Sequence, residues 1–249
     1  FASQFSAVAY RNYLETTARP AVRQRTAILA PVRLESVLGM DLFRATTAVR
    51  HAARELSGTV FGNPVLDALG AHLVSCWKLE EDTGTRLDAI SGENLSPHNT
   101  PTGVPGKDGQ ASRFSNAEAD GLYRERDDLG PLGIYGEGIE LTFSTWLYVD
   151  TLGYRSIAGF IDDMGGMEPW SVSLGYQNRI YVNIATHDWD YANCQSGGIS
   201  AGTWHHVLFT YDAGGHVRLY IDGTLAGTGS TYSGSGGLAQ PWSPFTLGC

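Results

Sequence analysis

The sequence predicts an all-β fold, an antiparallel jelly-roll sandwich over residues 71–249, preceded by a short, partly helical extension over residues 1–70. Three observations predict it. From residue 71 the chain breaks into short runs rich in β-branched and aromatic residues, bounded by Gly, Asn, Asp and Pro. Within those runs apolar and polar residues alternate, the period-two pattern of sheets with one buried face. Composition also shifts near residue 70. Only 4 of 31 glycines precede residue 71, and the first 70 residues carry a charge of +3 against −12 for the rest, giving the overall −9.

Residues 1–37 read as extended segments, because Pro20 and Pro31 interrupt any continuous helix. A helix is predicted next. Asp41 is its N-cap, Leu42, Ala45, Val49, Ala52 and Leu56 form one apolar face, and Gly58 ends it. Asn63-Pro64 reads as a second cap and first turn. So short a segment holds too little core to stand alone. It is expected to mediate assembly, on the C-terminal body or on a neighbouring subunit.

The strands follow in order: "HLVSCWKLE", "ASRFS", "IELTFSTWLYVD", "SIAGFID", "WSVSLGYQ", "RIYVNIAT", "HHVLFTYD", "VRLYIDGTLAG" and "PFTLGC". In the hairpin, Val207, Phe209 and Tyr211 share one face with Val217, Leu219 and Ile221 of the next strand. Asp-Ala-Gly-Gly and Asp222-Gly223 supply the turns. Trp204 is expected to plug the end of the core. His205 and His206, adjacent in a strand, point to opposite faces and are read as packing and hydrogen-bonding residues.

Bulk properties exclude several functions. No apolar run reaches the roughly 18 residues of a membrane-spanning helix. The acidic body argues against nucleic acid, which needs clustered Lys and Arg. Hydrophobic content of 42% supports a sizeable core. Cys76, Cys194 and Cys249 fit no zinc or redox spacing, and read either as buried thiols or as one disulfide with a spare. The chain begins at Phe1, so targeting is not legible there.

"LVSCWKLEEDTGTRLDAISGENL", "GKDGQASRFSNAEADGLY", "IELTFSTWLYVD" and "GTWHHVLFTYDAGGHVRLYIDGTLAG" together resemble laminin-G-like, concanavalin A-like jelly-roll domains over about 72–249. The resemblance implies a closing strand beyond a segment like "PFTLGC"; with Cys249 the last residue, either the sequence is incomplete or something else finishes the sheet, and the open edge is expected to be covered. It also implies Ca²⁺ near the first loop, with Asp88 and Asn94 as the matching positions. Asp162 and Asp163 are a second candidate pair. The alternative is that these acids are turn formers.

"THDWDYANC" places His187, Asp188, Trp189, Asp190 and Tyr191 in an expected loop, with Trp170 and Tyr176 on an adjacent strand. Aromatic faces beside carboxylates are what a sugar site uses; the alternative is a Trp packed under the sheet. No strand carries the Glu-x-Asp-x-Glu pattern of a glycosidase, and no Ser, zinc or phosphate-loop motif is present. The expectation is a non-enzymatic structural or recognition subunit of a surface or virion assembly, with a lectin-like exterior domain and self-association through residues 1–70. The alternative is a calcium-assisted carbohydrate-binding module.

Overall fold

A computed structural model describes residues 2–5, 73–115, 119–160, 168–187, 190–231 and 237–248. The chain divides into one unit of Phe1–Arg11 with His72–Cys249 and another of Asn12–Ala71. The helix expected from Asp41 to Gly58 and the cap at Asn63-Pro64 lie outside the described residues.

Strands dominate, as the alternation predicts. They are β1 (Ala2–Phe5), β2 (Ser96–His98), β3 (Thr102–Pro105), β4 (Gln110–Arg113), β5 (Gly121–Arg124), β6 (Leu141–Tyr148) and β7 (Arg155–Phe160). β8 (Trp170–Leu174), β9 (Arg179–Ala185), β10 (Tyr191–Gly198), β11 (Trp204–Tyr211), β12 (His216–Ile221), β13 (Thr224–Ser230) and β14 (Phe245–Leu247) follow. They form two seven-stranded antiparallel sheets, ordered β13-β12-β11-β6-β1-β4-β3 and β10-β9-β8-β7-β14-β5-β2. The result is a concanavalin A-like β-sandwich.

The core lies between the sheets. β6 alternates strictly, burying Leu141, Phe143, Thr145 and Leu147, and β11 opposes it in register, Phe209 against Phe143. Trp170 sits at the centre of an aromatic cluster, with ring centroids 5.3 Å from Phe143, 5.6 Å from Phe209 and 5.7 Å from Phe245. The offset, tilted arrangements suit the ring quadrupoles. Where β13 meets β10 the backbones touch: a Cβ on Gly227 or Gly229 would strike the carbonyl oxygens of Gln195 and Asn193.

Three differences from the sequence reading stand out. Of the "HLVSCWKLE" segment the described residues, 73–80, form no strand; they hold an isolated bridge from Trp77 to Asp88, and Leu79 has φ 58°. Side chains hold it in place of a ladder, with Trp77 Nε1 donating to Glu93 O at 2.7 Å. Conversely, "YANCQSGG" is strand β10 rather than loop. Its buried positions are the small residues Ala192, Cys194 and Ser196, whose alternation a hydrophobicity reading passes over. Finally, β1 pairs on both sides, Ala2–Phe5 against Tyr148–Thr145 of β6 and Ala2–Ser3 against Arg113–Ser112 of β4. A strand from the N-terminal segment thus fills an interior position of the first sheet.

Candidate functional site

The first-loop acid organises backbone. Asp88 Oδ1 accepts from the Cys76 N–H at 2.7 Å and the Ile90 N–H at 3.1 Å, while Oδ2 accepts from Ser91 N–H, Ser91 Oγ and Glu93 N–H. Asn94 Oδ1 accepts from the Asp88 N–H. Burial pushes the Asp88 carboxyl up, but the bonds from Cys76, Ser91 and Ile90 together bring it below the ordinary carboxylate range. With N–H and O–H donors around its oxygens, this carboxylate does not fit a hard cation, which wants oxygen donors there. Asp88 thus spends both oxygens on the loop's own donors, and Asn94 Oδ1 holds the Asp88 N–H. Asp162 and Asp163 lie outside the described residues.

Of the expected sugar-binding residues, Trp170 is corrected to core: it is 6% exposed and ringed by Phe143, Phe160, Phe209 and Phe245. Tyr176 is exposed but precedes the start of β9, whereas Tyr191 pairs with Ala185 at its end. Six residues of strand separate those ends, roughly 20 Å at 3.3 Å per residue. They do not share a site. Asp188 and Trp189 lie outside the described residues.

His187, Asp190 and Tyr191 do belong together, in company the sequence did not announce. The segment after residue 236 runs between two loops: Leu238 bridges Gly136 on one side and Thr186 on the other. His187 N–H donates to Gly237 O at 3.1 Å, and its Nε2 lies 3.5 Å from Glu137. Thr186 N–H closes the turn on Asp190 O at 2.9 Å. Further along, Glu168 accepts from Ser243 Oγ at 2.5 Å and from the Trp242 N–H at 3.3 Å. The Arg126 guanidinium sits 5.1 Å above the Trp242 ring. Tyr135, Tyr191 and Trp242 are 54%, 41% and 57% exposed. An exposed Trp braced by a backbone bond and a cation offers a flat apolar face that is already oriented. Glu137, Asp190 and His187, with both acceptor and donor capacity, sit on the two loops that Gly237 and Leu238 join, earlier in the same segment.

Residues 135–249 match a laminin G family model described as the concanavalin A-like lectin/glucanases superfamily. This region is similar to that family. Among solved structures, the chain is similar to the binding domain of Paraclostridial Mosquitocidal Protein 1, at 16% identity and a TM-score of 0.52, covering 68% of this chain and 44% of that one. It is also similar to the binding domain of botulinum neurotoxin DC in complex with SialylT, at 13% identity and a TM-score of 0.47 over 68% and 44% of the two chains. A botulinum neurotoxin type C structure, whose description concerns interaction with two ganglioside molecules, matches at 14% identity and a TM-score of 0.48 over 68% and 42%. The chain thus spans less than half the length of these structures. No curated protein matches it.

The β11–β12 hairpin also corrects the reading of Trp204. Rather than plugging the core, it is half-buried beside Tyr148, with centroids 5.4 Å apart, and His206 stacks on Trp146 at 5.1 Å. Lys107 Nζ lies 5.1 Å from the same Trp146 ring. His205 Nδ1 bonds Asp222 Oδ2 at 2.8 Å and its Nε2 bonds Ser200 Oγ at 3.1 Å, the order of a nucleophilic triad. Acyl transfer also needs N–H donors aimed at the developing oxyanion. Two amides flanking Ser200 are committed elsewhere, Ile199 N–H to Asn178 O and Gly202 N–H to Val149 O. Asp222 Oδ1 is taken by the His206 N–H at 2.8 Å. The array locks the turn after β12 onto the start of β11.

Proposed function

We propose that this domain is a non-enzymatic, extracellular saccharide-recognition module, and that the Tyr135–Tyr191–Trp242 loop cluster is its binding site. The observation that carries the reading is the exposed Trp242 ring, held at its backbone by the Glu168 carboxylate and flanked by the Arg126 guanidinium. Sugar C–H faces stack on such a ring and sugar hydroxyls bond the acids. The carboxylates are poorly placed for hydrolysis: Glu168 holds Trp242 and Ser243, and Asp190 Oδ1 holds the Tyr191 N–H at 2.8 Å. Binding of the full chain to an array of immobilised glycans, with and without EDTA, tests the reading. A defined set of glycans bound by the wild type and lost in Trp242→Ala, with an unchanged melting curve, is expected. Loss on EDTA would assign a calcium role to residues other than Asp88. No glycan bound, or equal binding by Trp242→Ala, would overturn the site.

A second reading, a subunit of a surface or virion assembly that carries this module outward, is favoured by one observation. Strand β1 enters the first sheet between β4 and β6 from a segment distant in sequence. Such insertion is how one chain can lock into another. Light scattering on the full chain tests it: an ordered oligomer supports assembly and a monomer contradicts it.

A further inference from the structure

At the other end of β9 a groove of about 380 Å³ opens on the second sheet, lined by Tyr154, Arg155, Ser156, Ser171, Ser173 and Leu174. Its volume falls in the range of roughly 300–1,000 Å³ typical of small-ligand sites. The register explains its chemistry. Ser156 of β7 opposes Ser173 of β8, which opposes Tyr181 of β9, and Ser171 opposes Asn183. Hydroxyls and amides therefore line one face in adjacent rows. Ser156 Oγ is buried beneath that face, with no hydrogen-bond partner among the described residues.

Aromatic faces flank those rows. Tyr154 and Tyr176 are 72% and 63% exposed, the two highest values among the exposed large hydrophobics of the described residues. A Cβ on Gly175 would lie 2.8 Å from the Tyr181 ring and 3.6 Å from the Tyr154 ring, so the bare glycine lets both rings converge. Tyr181 Oη donates to Tyr176 O at 3.3 Å. Two arginines stand at the same end, Arg155 at the start of β7 and Arg179 at the start of β9. Arg155 spends one nitrogen on Tyr154 O at 2.6 Å, and among the described residues no carboxylate pairs with either arginine. In a chain of net charge −9, that pair of cations is complementary to an anion.

We propose that this groove is a second saccharide site, separate from the Trp242 cluster, and that it takes sugars bearing a carboxylate. Arg155 supplies the planar fork for the carboxylate, Tyr154 stacks on the ring, and Ser171 and Ser173 bond its hydroxyls. The two sites lie toward opposite ends of β9, so one domain would engage two sugars at once and gain avidity on a dense glycan surface.

The test is a ¹⁵N NMR titration of the full chain with three probes: glucuronate, glucose and N-acetyl-glutamate amide. Saturable shifts of the Ser156, Ser171 and Ser173 amides with glucuronate, and none there with glucose, are expected. Arg155→Gln and Tyr154→Ala should each weaken that response at least tenfold with unchanged melting. Equal shifts with glucose, shifts with the glutamate derivative alone, or no saturable shift in these strands would overturn the proposal. The reporters of the Trp242 cluster, Gly136 and His187, are read in the same spectra, so failure of one site is distinguishable from failure of the other.

Discussion

Arg86 is the residue on which the first loop turns. It is fully buried, donates to Ser112 Oγ at 2.9 Å, Gly84 O at 2.6 Å and Pro101 O at 3.0 Å, and ties that loop to β4. Burial pulls its pKa below the ordinary value, against the opposing pull of Glu81 and Asp82. Arg86→Met strands three acceptors, and we expect it to cost about 2–4 kcal/mol in urea unfolding. A neutral effect would mean the loop is held by Asp88 alone. The two hairpin residues His206 and Asp222 each contribute to the pH behaviour. Burial holds the His206 pKa below its ordinary value despite Asp222 nearby. The unfolded chain therefore takes up a proton more readily, and stability is full above about pH 6.5 and falls as the pH drops below it. His206→Gln should flatten that slope between pH 7 and 5. Burial raises the Asp222 pKa, but the bonds from His205 and the His206 N–H bring it below the ordinary range. Its contribution is present above about pH 4 and lost as the pH falls through its lowered pKa, a step that Asp222→Asn should abolish.

At the scale of elements, legibility followed periodicity. β6, β11 and β12 alternate bulky apolar and polar residues, and the structure buries the expected Val207, Phe209, Tyr211, Val217 and Leu219. Asp222-Gly223 makes the predicted turn, both residues at positive φ, 52° and 79°. β10 was missed because its inward residues are small, and "HLVSCWKLE" was overread because β-rich composition does not say whether a partner strand lies alongside. The candidate site was half legible. His187, Asp190 and Tyr191 come from one loop that the sequence shows as unusual. Glu137 comes from a segment distant in sequence, and only the bridges through Leu238 and its contact with His187 reveal the meeting; the Glu168–Trp242 contact likewise joins distant segments. Trp170 and Trp204 were misplaced for a shared reason: composition gives a Trp near the site, while its facing follows from strand register. Cys194 illustrates the limit in reverse. Burial pushes its thiol up to about 11, so we expect it to resist alkylation at pH 8 until the protein unfolds.

Across the whole molecule, the two sheets meet along a glycine seam. Gly227 and Gly229 of β13 let its backbone touch β10. Gly229→Val should destabilise strongly, read as a melting temperature lowered by several degrees, because carbonyl backbone cannot move aside as a side chain can. That closed sandwich leaves exposed aromatics at its loop ends, Trp242 with Tyr135 and Tyr191, and Tyr154 with Tyr176. The account's central claim is that the Trp242 end recognises saccharide. Calorimetric titration of the best-bound array glycan into wild type and Trp242→Ala tests it most directly. The account predicts at least a tenfold loss, about 1.4 kcal/mol, with folding intact. Equal affinity in the two proteins would contradict it and remove the loop cluster as the site.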